Sequence, residues 1–585
     1  MKISDLVAKI ISDYTDCVFG GQGGSVVHLV DSIVKNKKLK FISGQNEQAS
    51  SIAADAYYRT SGKLGVAIGT SGPGIINLLQ GMACSYFDSI PALYISGAPV
   101  INQIRKNKKI RQIGFQEMEV VDLVKPITKY AVLIKNKKQI QIEFEKAINI
   151  AFNGRMGPVL IDLPDDIQRQ SIVPKKTFFK LDRLPIHNKI DNSFTSKLPK
   201  TIKLIENSKR PLILIGNGVK ISKSQELAKK FIKKTNIPFA CSWATVDEFS
   251  SNDHLNAGTF GVAATRFGNF AIQNSDLLLC LGLRLSPQIM GAKKEAFAPK
   301  AKKILVEIDK NELTNHRLPK IDVKINSDVK IFLNKVLSKK INLRKKKYKK
   351  WITKLNYLKN KYPIVSKKHY KDDKYVNPYA FFNELSKNIK KNSILIPDAS
   401  ANLIWCMQAF NKIKDTKIFT ALNHSPMGYS VAASVGAYFG NYKKNIISII
   451  GDGAMPMNIQ ELETIKNFKV DVKIFIINNL GYGLIKQTQE TWLKSKYAGV
   501  DKKSGLSLPD NLKLSNAYGI KSISIKNNQD MIKKLKKILN TRGPLLIDLR
   551  IDPKVRVSPK IESGQPLHDM SPKIEKKELD LILKN

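Results

Sequence analysis

The chain has 585 residues, of which 43% are hydrophobic and 25% charged, and its formal net charge is +48. One domain usually holds roughly 100–200 residues, so this length predicts about three domains, and the apolar content excludes a largely disordered chain. The charge raises the hypothesis of a non-catalytic nucleic-acid-binding protein. Most lysines are spread along the chain, however, and the dense runs Lys339–Lys350 and Lys533–Lys537 lack the paired aromatic and basic pattern of a nucleic-acid groove. A solvated, lysine-rich surface is the favoured interpretation.

The five cysteines lie far apart in the sequence, which predicts free thiols in a reducing compartment. The first residues, MKISDLVAKIISDYTD, carry charges within an apolar pattern and predict an amphipathic helix rather than a signal peptide. No run of about 18 apolar residues, the length that spans a membrane, occurs in the sequence. We therefore expect a cytoplasmic protein without a membrane partner.

Short runs of valine, isoleucine and leucine recur along the chain, and most are continuous rather than alternating. Continuous runs are typical of strands buried on both faces of a parallel sheet. The predicted strands are Leu64–Thr70, Ala92–Ser96, Val159–Leu163, Leu212–Ile215, Leu277–Leu283, Ile304–Ile308, Ile394–Pro397, Ile446–Ile450, Val472–Ile477 and Leu545–Leu549. Helical patterns lie between them, as at Glu47–Thr60, Gly74–Tyr86 and Asn458–Phe468. This order predicts an α/β fold of parallel sheets flanked by helices.

Two polar breaks, Lys175–Ser196 and Lys339–Asp373, divide the chain into domains. The predicted units are an N-terminal domain at 1–175, a central domain at 190–340, a lysine-rich linker at 341–364, a C-terminal domain at 365–555 and a tail at 556–585. The similar octamers GPVLIDLP (157–164) and GPLLIDLR (543–550) close the first and third domains. They indicate two related folds around a different central one, unless the likeness is the coincidence of a common strand pattern.

A metal–diphosphate motif follows two successive predicted strands. Gly451-Asp452-Gly453 ends one strand, Asn478-Asn479 ends the next, and one helix fits between them, so the two ends should lie side by side. Ligands bind at this edge of open α/β sheets. Mg²⁺ prefers oxygen ligands, which Asp452, Asn479 and a backbone carbonyl near Gly481 can supply. The flanking glycines would let the backbone approach the phosphates.

This spacing is similar to that of thiamine diphosphate (ThDP)-dependent enzymes. Residues 41–81, FISGQNEQASSIAADAYYRTSGKLGVAIGTSGPGIINLLQG, resemble the acetolactate synthase (acetohydroxyacid synthase) large subunit and related carboligases. The resemblance spans essentially the whole chain. It implies a pyrimidine-binding first domain, a diphosphate- and Mg²⁺-binding third domain, and an obligate homodimer or tetramer in which two chains meet at each cofactor. A regulatory subunit is a further partner that the resemblance allows.

By this resemblance, Glu47 is the carboxyl group that hydrogen-bonds the aminopyrimidine ring and so lets the cofactor's amino group remove the thiazolium proton. Met427 is the bulky apolar residue that holds the cofactor bent. The remaining implied cofactor contacts are Gly24, Pro73, Asn77, Ala401, Asn402, Ser425, Gly451, Gly453 and Leu484. Taken alone, such residues are equally typical of a surface helix, a tight turn or core packing.

Two further catalytic candidates rest on the same resemblance. Gln116, in the segment Phe115-Gln116-Glu117, matches a substrate-side segment of acetolactate synthases, and Lys129 matches a family lysine but also fits simple surface charge. In the central domain, residues in turns resemble those that hold FAD in acetolactate synthases: Gly216, Gly218, Gly261, Arg284, Asp309 and Asp328. Short glycine motifs are also ordinary α/β connections, so both interpretations stay open.

Several segments depart from the family pattern. The family's RHEQ is here Gln45–Gln48, its GQH is Ser400–Asn402 and its GLGxMG is Asn423–Gly428, while Thr488 stands where biosynthetic enzymes carry a tryptophan in the acceptor pocket. These changes keep the cofactor chemistry and alter the substrate cavity.

The leading hypothesis is an enzyme of acetolactate-synthase type, which decarboxylates pyruvate and transfers the two-carbon unit to a 2-oxo acid in branched-chain amino-acid synthesis. The alternative is a related carboligase with another carbonyl acceptor, such as a keto-deoxysugar nucleotide. Thr488 and the polar pair His424-Ser425 favour that alternative. A nucleic-acid-binding protein is disfavoured because Glu47, Asp452 and Asn479 are intact.

Overall fold

The computed structural model describes residues 1–174, 192–343, 347–371, 373–412, 415–562 and 564–584. It consists of three domains, each built on a six-stranded parallel sheet flanked by helices, which confirms the predicted fold class. Most of the predicted break at 175–196 lies outside the described residues. Within the described ranges, every helix is too short or too polar to cross a bilayer.

The first domain has strand order β2-β1-β3-β4-β6-β5. Its strands are β1 (Cys17–Gly20), β2 (Lys40–Ser43), β3 (Gly65–Gly69), β4 (Ala92–Ala98), β5 (Tyr130–Leu133) and β6 (Val159–Pro164). Its helices are α1 (Ile3–Ile11), α2 (Val27–Lys35), α3 (Glu47–Ser61), α4 (Pro73–Asp88), α5 (Val120–Val124), α6 (Ile140–Phe152) and α7 (Asp165–Arg169).

The central domain has order β12-β11-β10-β7-β8-β9. Its strands are β7 (Pro211–Ile215), β8 (Phe239–Cys241), β9 (Asn256–Thr259), β10 (Leu277–Leu281), β11 (Lys302–Glu307) and β12 (Val323–Asn326). Its helices are α8 (Leu198–Asn207), α9 (Asn217–Ile221), α10 (Gln225–Thr235), α11 (Arg266–Asn274), α12 (Pro287–Met290), α13 (Lys310–Leu313) and α14 (Val329–Leu337).

The third domain has order β14-β13-β15-β16-β18-β17. Its strands are β13 (Ser393–Pro397), β14 (Lys417–Ile418), β15 (Asn445–Gly451), β16 (Val472–Asn478), β17 (Lys521–Ile525) and β18 (Leu545–Arg550). Its helices are α16 (Pro378–Asn388), α17 (Ala401–Ala409), α18 (Tyr429–Gly440), α19 (Glu461–Asn467), α20 (Gly483–Trp492), α21 (Asn511–Ala517) and α22 (Asn528–Asn540).

The first and third sheets share one topology. If strands are counted from the start of each sheet, both run 2-1-3-4-6-5, whereas the central sheet runs 6-5-4-1-2-3. The two similar octamers contain β6 and β18, which occupy the same place in their sheets. The expectation of two related folds around a different central one is therefore confirmed.

Helices α3 and α18 pack the first domain against the third. A side chain at Gly436 would overlap the Ala53 carbonyl, so this close approach requires glycine. A buried cluster reinforces the interface, in which Tyr429 donates to Asp55 Oδ2 at 2.6 Å and Arg59 Nε to the same oxygen at 2.7 Å. The edges of two different sheets are thereby held in one fixed arrangement.

The segment predicted as a linker and the tail both pack on the central domain. Helix α15 (Lys349–Lys361) buries Trp351 against the central core. The tail forms β19 (Lys560–Ile561), β20 (Met570–Ser571) and α23 (Lys576–Leu583). Ile561 N donates to Val262 O at 2.8 Å, and Ile582 packs in a buried cluster with Phe270. The third domain therefore lies, along the chain, between two segments that both pack on the central domain.

Candidate active site

The structure brings the two halves of the metal–diphosphate motif together. Strands β15 and β16 are neighbours, with Gly451 opposite Ile477. Asp452 is buried, and its carboxylate accepts from Gly453 N at 2.8 Å and from Gly481 N at 3.1 Å. Asn479, the next residue after β16, is also buried. The residues expected to hold the metal therefore lie at one sheet edge.

The donor set of this edge suits a hard cation. Asp452, Asn479 and the Gly481 carbonyl offer only oxygen ligands, the kind that Mg²⁺ prefers. Among the described residues, no group of three or more His, Cys, Asp or Glu side chains could hold a metal ion. Burial raises the pKa of Asp452 to about 7, and a bound cation would favour its ionised form.

The two glycines of the metal–diphosphate motif are needed for different reasons. At Gly451 the space that a side chain would fill is open, which fits a close-lying phosphate. A side chain at Gly453 would overlap the Tyr482 ring, so this glycine serves packing instead. The predicted helix start at Asn458 is wrong: α19 begins at Glu461, and the Asn458 amide donates to Gly428 O at 3.1 Å.

Glu47 lies at the first position of α3, where Asn46 caps the helix by accepting from Gln48 N at 2.7 Å. Its Oε2 accepts a hydrogen bond from Asn77 Nδ2 at 2.9 Å. A side chain at Gly21 would stand 3.1 Å from Glu47 Oε1, so the small residue keeps this side of the carboxylate clear. The Glu47 side chain is therefore held in one place at the start of α3.

Other predicted residues gather around Glu47. Pro73 and Asn77 lie on the first turn and a half of α4, and Gln116 packs against the preceding turn, where a side chain at Gly72 would stand 3.0 Å from Gln116 Cβ. At Gly24, nothing lies within 4 Å of the side-chain position, so space remains for a bound group. The start of α3 also contacts the third domain, since Gln45 N donates to Glu461 Oε1 at 3.1 Å.

The segment that contains Met427 is held by Asp398, a residue that lies in none of the motifs of the sequence. Asp398, fully buried after β13, accepts from Gly428 N at 3.1 Å and Ser430 N at 2.8 Å. Burial raises the pKa of this carboxyl group to about 6. Met427 itself is 36% exposed, so its side chain is open to contact with a bound group.

The predicted contacts Ala401 and Asn402 begin helix α17, and both are buried. The Asn402 amide donates to Ile449 O at 3.2 Å, and Asp398 N donates to the same carbonyl at 2.7 Å. The Asn402 side chain therefore ties the start of α17 to β15. The start of α17 therefore lies beside the end of β15 that leads to Asp452.

Asp88 fixes the other end of the Met427 segment from the first domain. Its carboxylate accepts from Leu422 N at 2.9 Å, from Asn423 N at 3.1 Å and from Arg59 Nη2 at 2.9 Å. The Asn423 side chain extends the junction, because its Oδ1 accepts from Arg284 Nη2 at 2.7 Å. All three domains thus meet at one point beside the segment.

We expect Asp88→Ala to lower the free energy of unfolding by about 3 kcal/mol, because it leaves Arg59 and two backbone N–H groups short of a buried partner. Calorimetric unfolding measures this loss. Asp31→Ala is the control, since Asp31 pairs with Lys35 at an exposed surface, and this substitution should change the free energy of unfolding far less than Asp88→Ala does. Equal effects of the two substitutions would contradict the assigned role of Asp88.

A cavity of about 1140 Å³ opens at this junction and is lined by all three domains. The predicted FAD residues on its wall are Gly218, Gly261, Arg284 and Asp328, and the predicted ThDP residues on it are Ser425 and Leu484. Gly216 and Asp309 are not on the wall. Gly216 allows close packing on Gly282, and Asp309 caps α13 and accepts from Arg155 Nη1 at 3.2 Å.

Lys129 is not brought together with the other candidates. Its ammonium group donates to the carbonyls of Ile150 and Asn153, the latter at 2.5 Å, at the end of α6. Burial lowers its pKa to about 8. In this position the lysine satisfies the last carbonyls of a helix, a structural role that differs from the predicted catalytic one.

Three family models match the chain in the order of its domains. They are the N-terminal TPP binding domain, the central domain and the C-terminal TPP binding domain of thiamine pyrophosphate enzymes, over residues 1–123, 198–336 and 398–549. Thiamine pyrophosphate is another name for ThDP. The fold and the site therefore define the class of the protein: it is a ThDP-dependent enzyme.

Proteins of similar sequence identify the family within this class of enzymes. The acetolactate synthase large subunit of Cyanidium caldarium is 31% identical over 569 residues, covering 96% of this chain and 94% of that protein. The probable acetolactate synthase large subunit of Methanocaldococcus jannaschii is 32% identical, covering 100% and 98%. Acetolactate synthase 2 of Nicotiana tabacum chloroplasts is 31% identical, covering 94% and 82%. The chain belongs to the family of acetolactate synthase large subunits.

Proposed function

We propose that this protein is a Mg²⁺- and ThDP-dependent carboligase of acetolactate-synthase type. It decarboxylates pyruvate and joins the remaining two-carbon unit to a second 2-oxo acid. The observation that carries the proposal is the pair of intact sites: the Glu47–Asn77 carboxylate site at the start of α3 and α4, and the oxygen site of Asp452 at the end of β15. Relatives along nearly the whole chain are named acetolactate synthases.

Each residue then has a definable task. When bound, ThDP supplies an electron sink that stabilises a carbanion next to a former carbonyl group. Glu47 holds a proton at the ring nitrogen of the pyrimidine, and Asn77 fixes the orientation of the Glu47 carboxylate. Asp452, Asn479 and the Gly481 carbonyl are the residues that would hold Mg²⁺, which would supply a positive charge to the diphosphate group.

A homodimer is part of this proposal. Large apolar side chains are exposed in segments next to the candidate site, as for Phe115 (83%), Leu480 (65%) and Trp492 (65%). Apolar surface of this kind marks an interface, and a second copy of the chain would cover it. Sedimentation of the purified protein at micromolar concentration tests the dimer, and a monomer under these conditions would refute it.

FAD and a regulatory subunit are further parts of the proposal. The cavity of about 1140 Å³ exceeds the roughly 300–1000 Å³ of most small-ligand sites and suits a large cofactor. Gly218, Gly261, Arg284 and Asp328 on its wall are the residues that would hold FAD. The names of the relatives, as large subunits, support a search for a second, smaller subunit.

The decisive experiment supplies the purified protein with ThDP, Mg²⁺, FAD, pyruvate and 2-oxobutyrate, and identifies the products by mass spectrometry. A parallel reaction contains a keto-deoxysugar nucleotide in place of 2-oxobutyrate. We expect release of CO₂ and formation of 2-acetolactate from two pyruvates or 2-aceto-2-hydroxybutyrate from the mixed pair. Pyruvate consumption without either product, but with ligation to a keto-deoxysugar nucleotide, would support the alternative carboligase. Absence of all pyruvate consumption would refute the proposed function.

Thr488→Trp tests how the acceptor is selected. Thr488 is half-buried on α20, and its Oγ1 donates to the carbonyl of Leu484, which lines the cavity. Thr488 itself is not in the lining, and a tryptophan here could reach the cavity only by extending past Leu484. If it does so, we expect a shift of kcat/KM by about 10-fold or more towards small 2-oxo acids over a nucleotide sugar. Thr491→Trp, one turn along on the exposed side, is the control. If Thr488→Trp left the preference between the two acceptors unchanged, Thr488 would no longer support the alternative acceptor.

A further inference from the structure

Helix α20 starts next to the metal edge, and no buried face holds it in place. None of its ten residues is buried in the part of the chain that the structure describes, although Leu484 lies on the cavity wall. Gly481, two residues before the helix, has a φ of +149°, a backbone conformation that favours glycine. Because apolar burial does not fix the helix, its direction depends on the polar contacts of its side chains.

The carboxamide of Gln487 pairs with the backbone of the segment that follows β18. Gln487 Nε2 donates to Val557 O at 3.0 Å, and Val557 N donates to Gln487 Oε1 at 3.1 Å. Val557 is buried in the core of the third domain. One side chain therefore satisfies both polar backbone groups of a buried residue, and it ties α20 to a point that packing keeps in place.

Glu490 makes a two-bond ion pair with Arg556. Arg556 Nε donates to Glu490 Oε2 at 2.7 Å, and Arg556 Nη2 donates to Glu490 Oε1 at 2.5 Å. The third nitrogen, Nη1, donates to Pro553 O at 2.8 Å and to Val555 O at 3.0 Å. The arginine holds the pKa of the Glu490 carboxyl group below its usual value. This geometry is the strong form of an ion pair, and it links α20 to the same segment.

The two contacts act on one face of the helix. Gln487 and Glu490 are three residues apart, with Leu484 one turn earlier, so the three side chains lie on the same side. The segment that they contact leaves β18, which is the neighbour of β16, and Ile551 N donates to Asn478 O at 2.8 Å. The helix and the segment thus continue from neighbouring strand ends and are joined again beyond the sheet.

A contact on another side of the helix is different in kind. Lys486 pairs with Asp501 at 2.6 Å, in the loop that follows α20. That ion pair joins consecutive parts of one stretch of the chain. The contacts of Gln487 and Glu490, in contrast, join α20 to the chain that leaves a different strand.

We propose that Gln487 and Glu490 are positioning residues for the acceptor side of the site. Their contacts with Val557 and Arg556, here called the α20 clamp, fix the direction of the helix and with it the place of Leu484 on the cavity wall. This inference rests on the proposed function, because it concerns the second substrate of that reaction. The clamp determines how closely the second 2-oxo acid is held, and the bond-forming chemistry stays with the cofactor residues.

Hydrogen exchange tests without turnover whether the clamp holds the helix. The full-length protein with ThDP and Mg²⁺ is compared with Arg556→Met, which keeps a long side chain without the charge, by peptide mass spectrometry. We expect exchange of the α20 amides to rise about fivefold or more, because a helix without a buried face opens locally once its polar contacts are lost. Lys387→Met is the matched control, since Lys387 pairs with Glu384 at 2.6 Å at the surface of the same domain, and it should leave α20 unchanged. Unchanged exchange in Arg556→Met overturns the proposal.

Kinetics test the positioning itself. In Arg556→Met and in Glu490→Gln, we expect kcat/KM for 2-oxobutyrate as acceptor to fall about tenfold, because a small misplacement of a substrate-side wall is costly. The single-turnover rate of CO₂ release from pyruvate should change by less than about twofold, and the unfolding temperature should stay within about 2 °C of the wild type.

Two further variants and two outcomes complete the test. Arg556→Lys can make one of the two bonds and should fall between Arg556→Met and the wild type, and the double variant Glu490→Gln/Arg556→Met should lose no more than either single variant. Faster exchange with an unchanged kcat/KM for the acceptor overturns the positioning role. A wild-type protein that makes no product refutes the proposed function, and the exchange rates then decide whether the clamp holds α20.

Discussion

Glu47→Gln should lower the rate of pyruvate consumption by at least about 100-fold, the usual share of a positioned acid–base group. Glutamine has the same shape, and its amide oxygen can still accept from Asn77 Nδ2, so the fold around α3 should persist. What the substitution removes is the ability to hold and share a proton with the pyrimidine ring. The measurement is the steady-state rate at saturating ThDP, Mg²⁺ and pyruvate.

A matched control separates this effect from a general loss of structure. Glu226→Gln removes a carboxylate that is exposed on α10 and pairs with Lys229, and it should leave the rate within about twofold of the wild type. Circular dichroism and the unfolding temperature of both variants should match the wild type. A Glu47→Gln variant that retains more than a tenth of the activity would exclude Glu47 from the proton chemistry.

Asp452→Asn should weaken the binding of ThDP in the presence of Mg²⁺ by on the order of 100-fold. Loss of groups that merely support a metal ligand already costs about 10- to 100-fold, and Asp452 is proposed as a ligand itself. Asparagine keeps the size of the side chain, but Gly453 N and Gly481 N bond to different oxygens of the carboxylate, and the single amide oxygen can accept from only one of them. The unfolding temperature of the variant therefore has to be measured beside the two affinities. Calorimetric titration of ThDP at fixed Mg²⁺, and of Mg²⁺ at fixed ThDP, gives both affinities.

Asp471→Asn is the control for this measurement. Asp471 lies just before β16, is partly exposed and pairs with Lys473, far down the strand from the metal edge. Its substitution should leave both affinities unchanged. If Asp452→Asn bound ThDP and Mg²⁺ as tightly as Asp471→Asn, the cation would have to be held elsewhere.

The sequence predicts the interior of each sheet better than its edges. Every continuous apolar run, from Leu64–Thr70 to Leu545–Leu549, corresponds to a strand of the structure. The strands without such a run include all six sheet edges, β2, β5, β9, β12, β14 and β17. An edge strand has one neighbour and is less buried, as the half-exposed pattern of β17 shows, so it carries no continuous apolar signal. The short inner strands β1 and β8 were missed because they are too brief for a recognisable run.

The same limit applies to the site. Asp452 and Gly481 could be predicted because each follows one of two successive strands that one helix connects, and such strands are expected to be neighbours in a parallel sheet. Asp88 could not, because its role depends on contact with Leu422 in another domain. Asp398 likewise depends on the folded path of the segment it holds. Lys129 matches a family pattern, but its ammonium group donates to carbonyls at the end of α6. No local motif in the sequence predicts this contact.

The return of the tail to the central domain has a mechanical consequence. Two domains joined by one stretch of chain can swing about it, but here the central and third domains are connected twice, through α15 and again through the segment that ends in α23. The second connection is fastened by Ile561 to Val262 and by the burial of Ile582. A rotation of the central domain relative to the third domain that widens the cavity must first break these contacts. The attachment of the C-terminal tail to the central domain therefore limits how far the cavity can widen. A protein fused to the carboxyl terminus would pull on this attachment and so affect the width of the cavity.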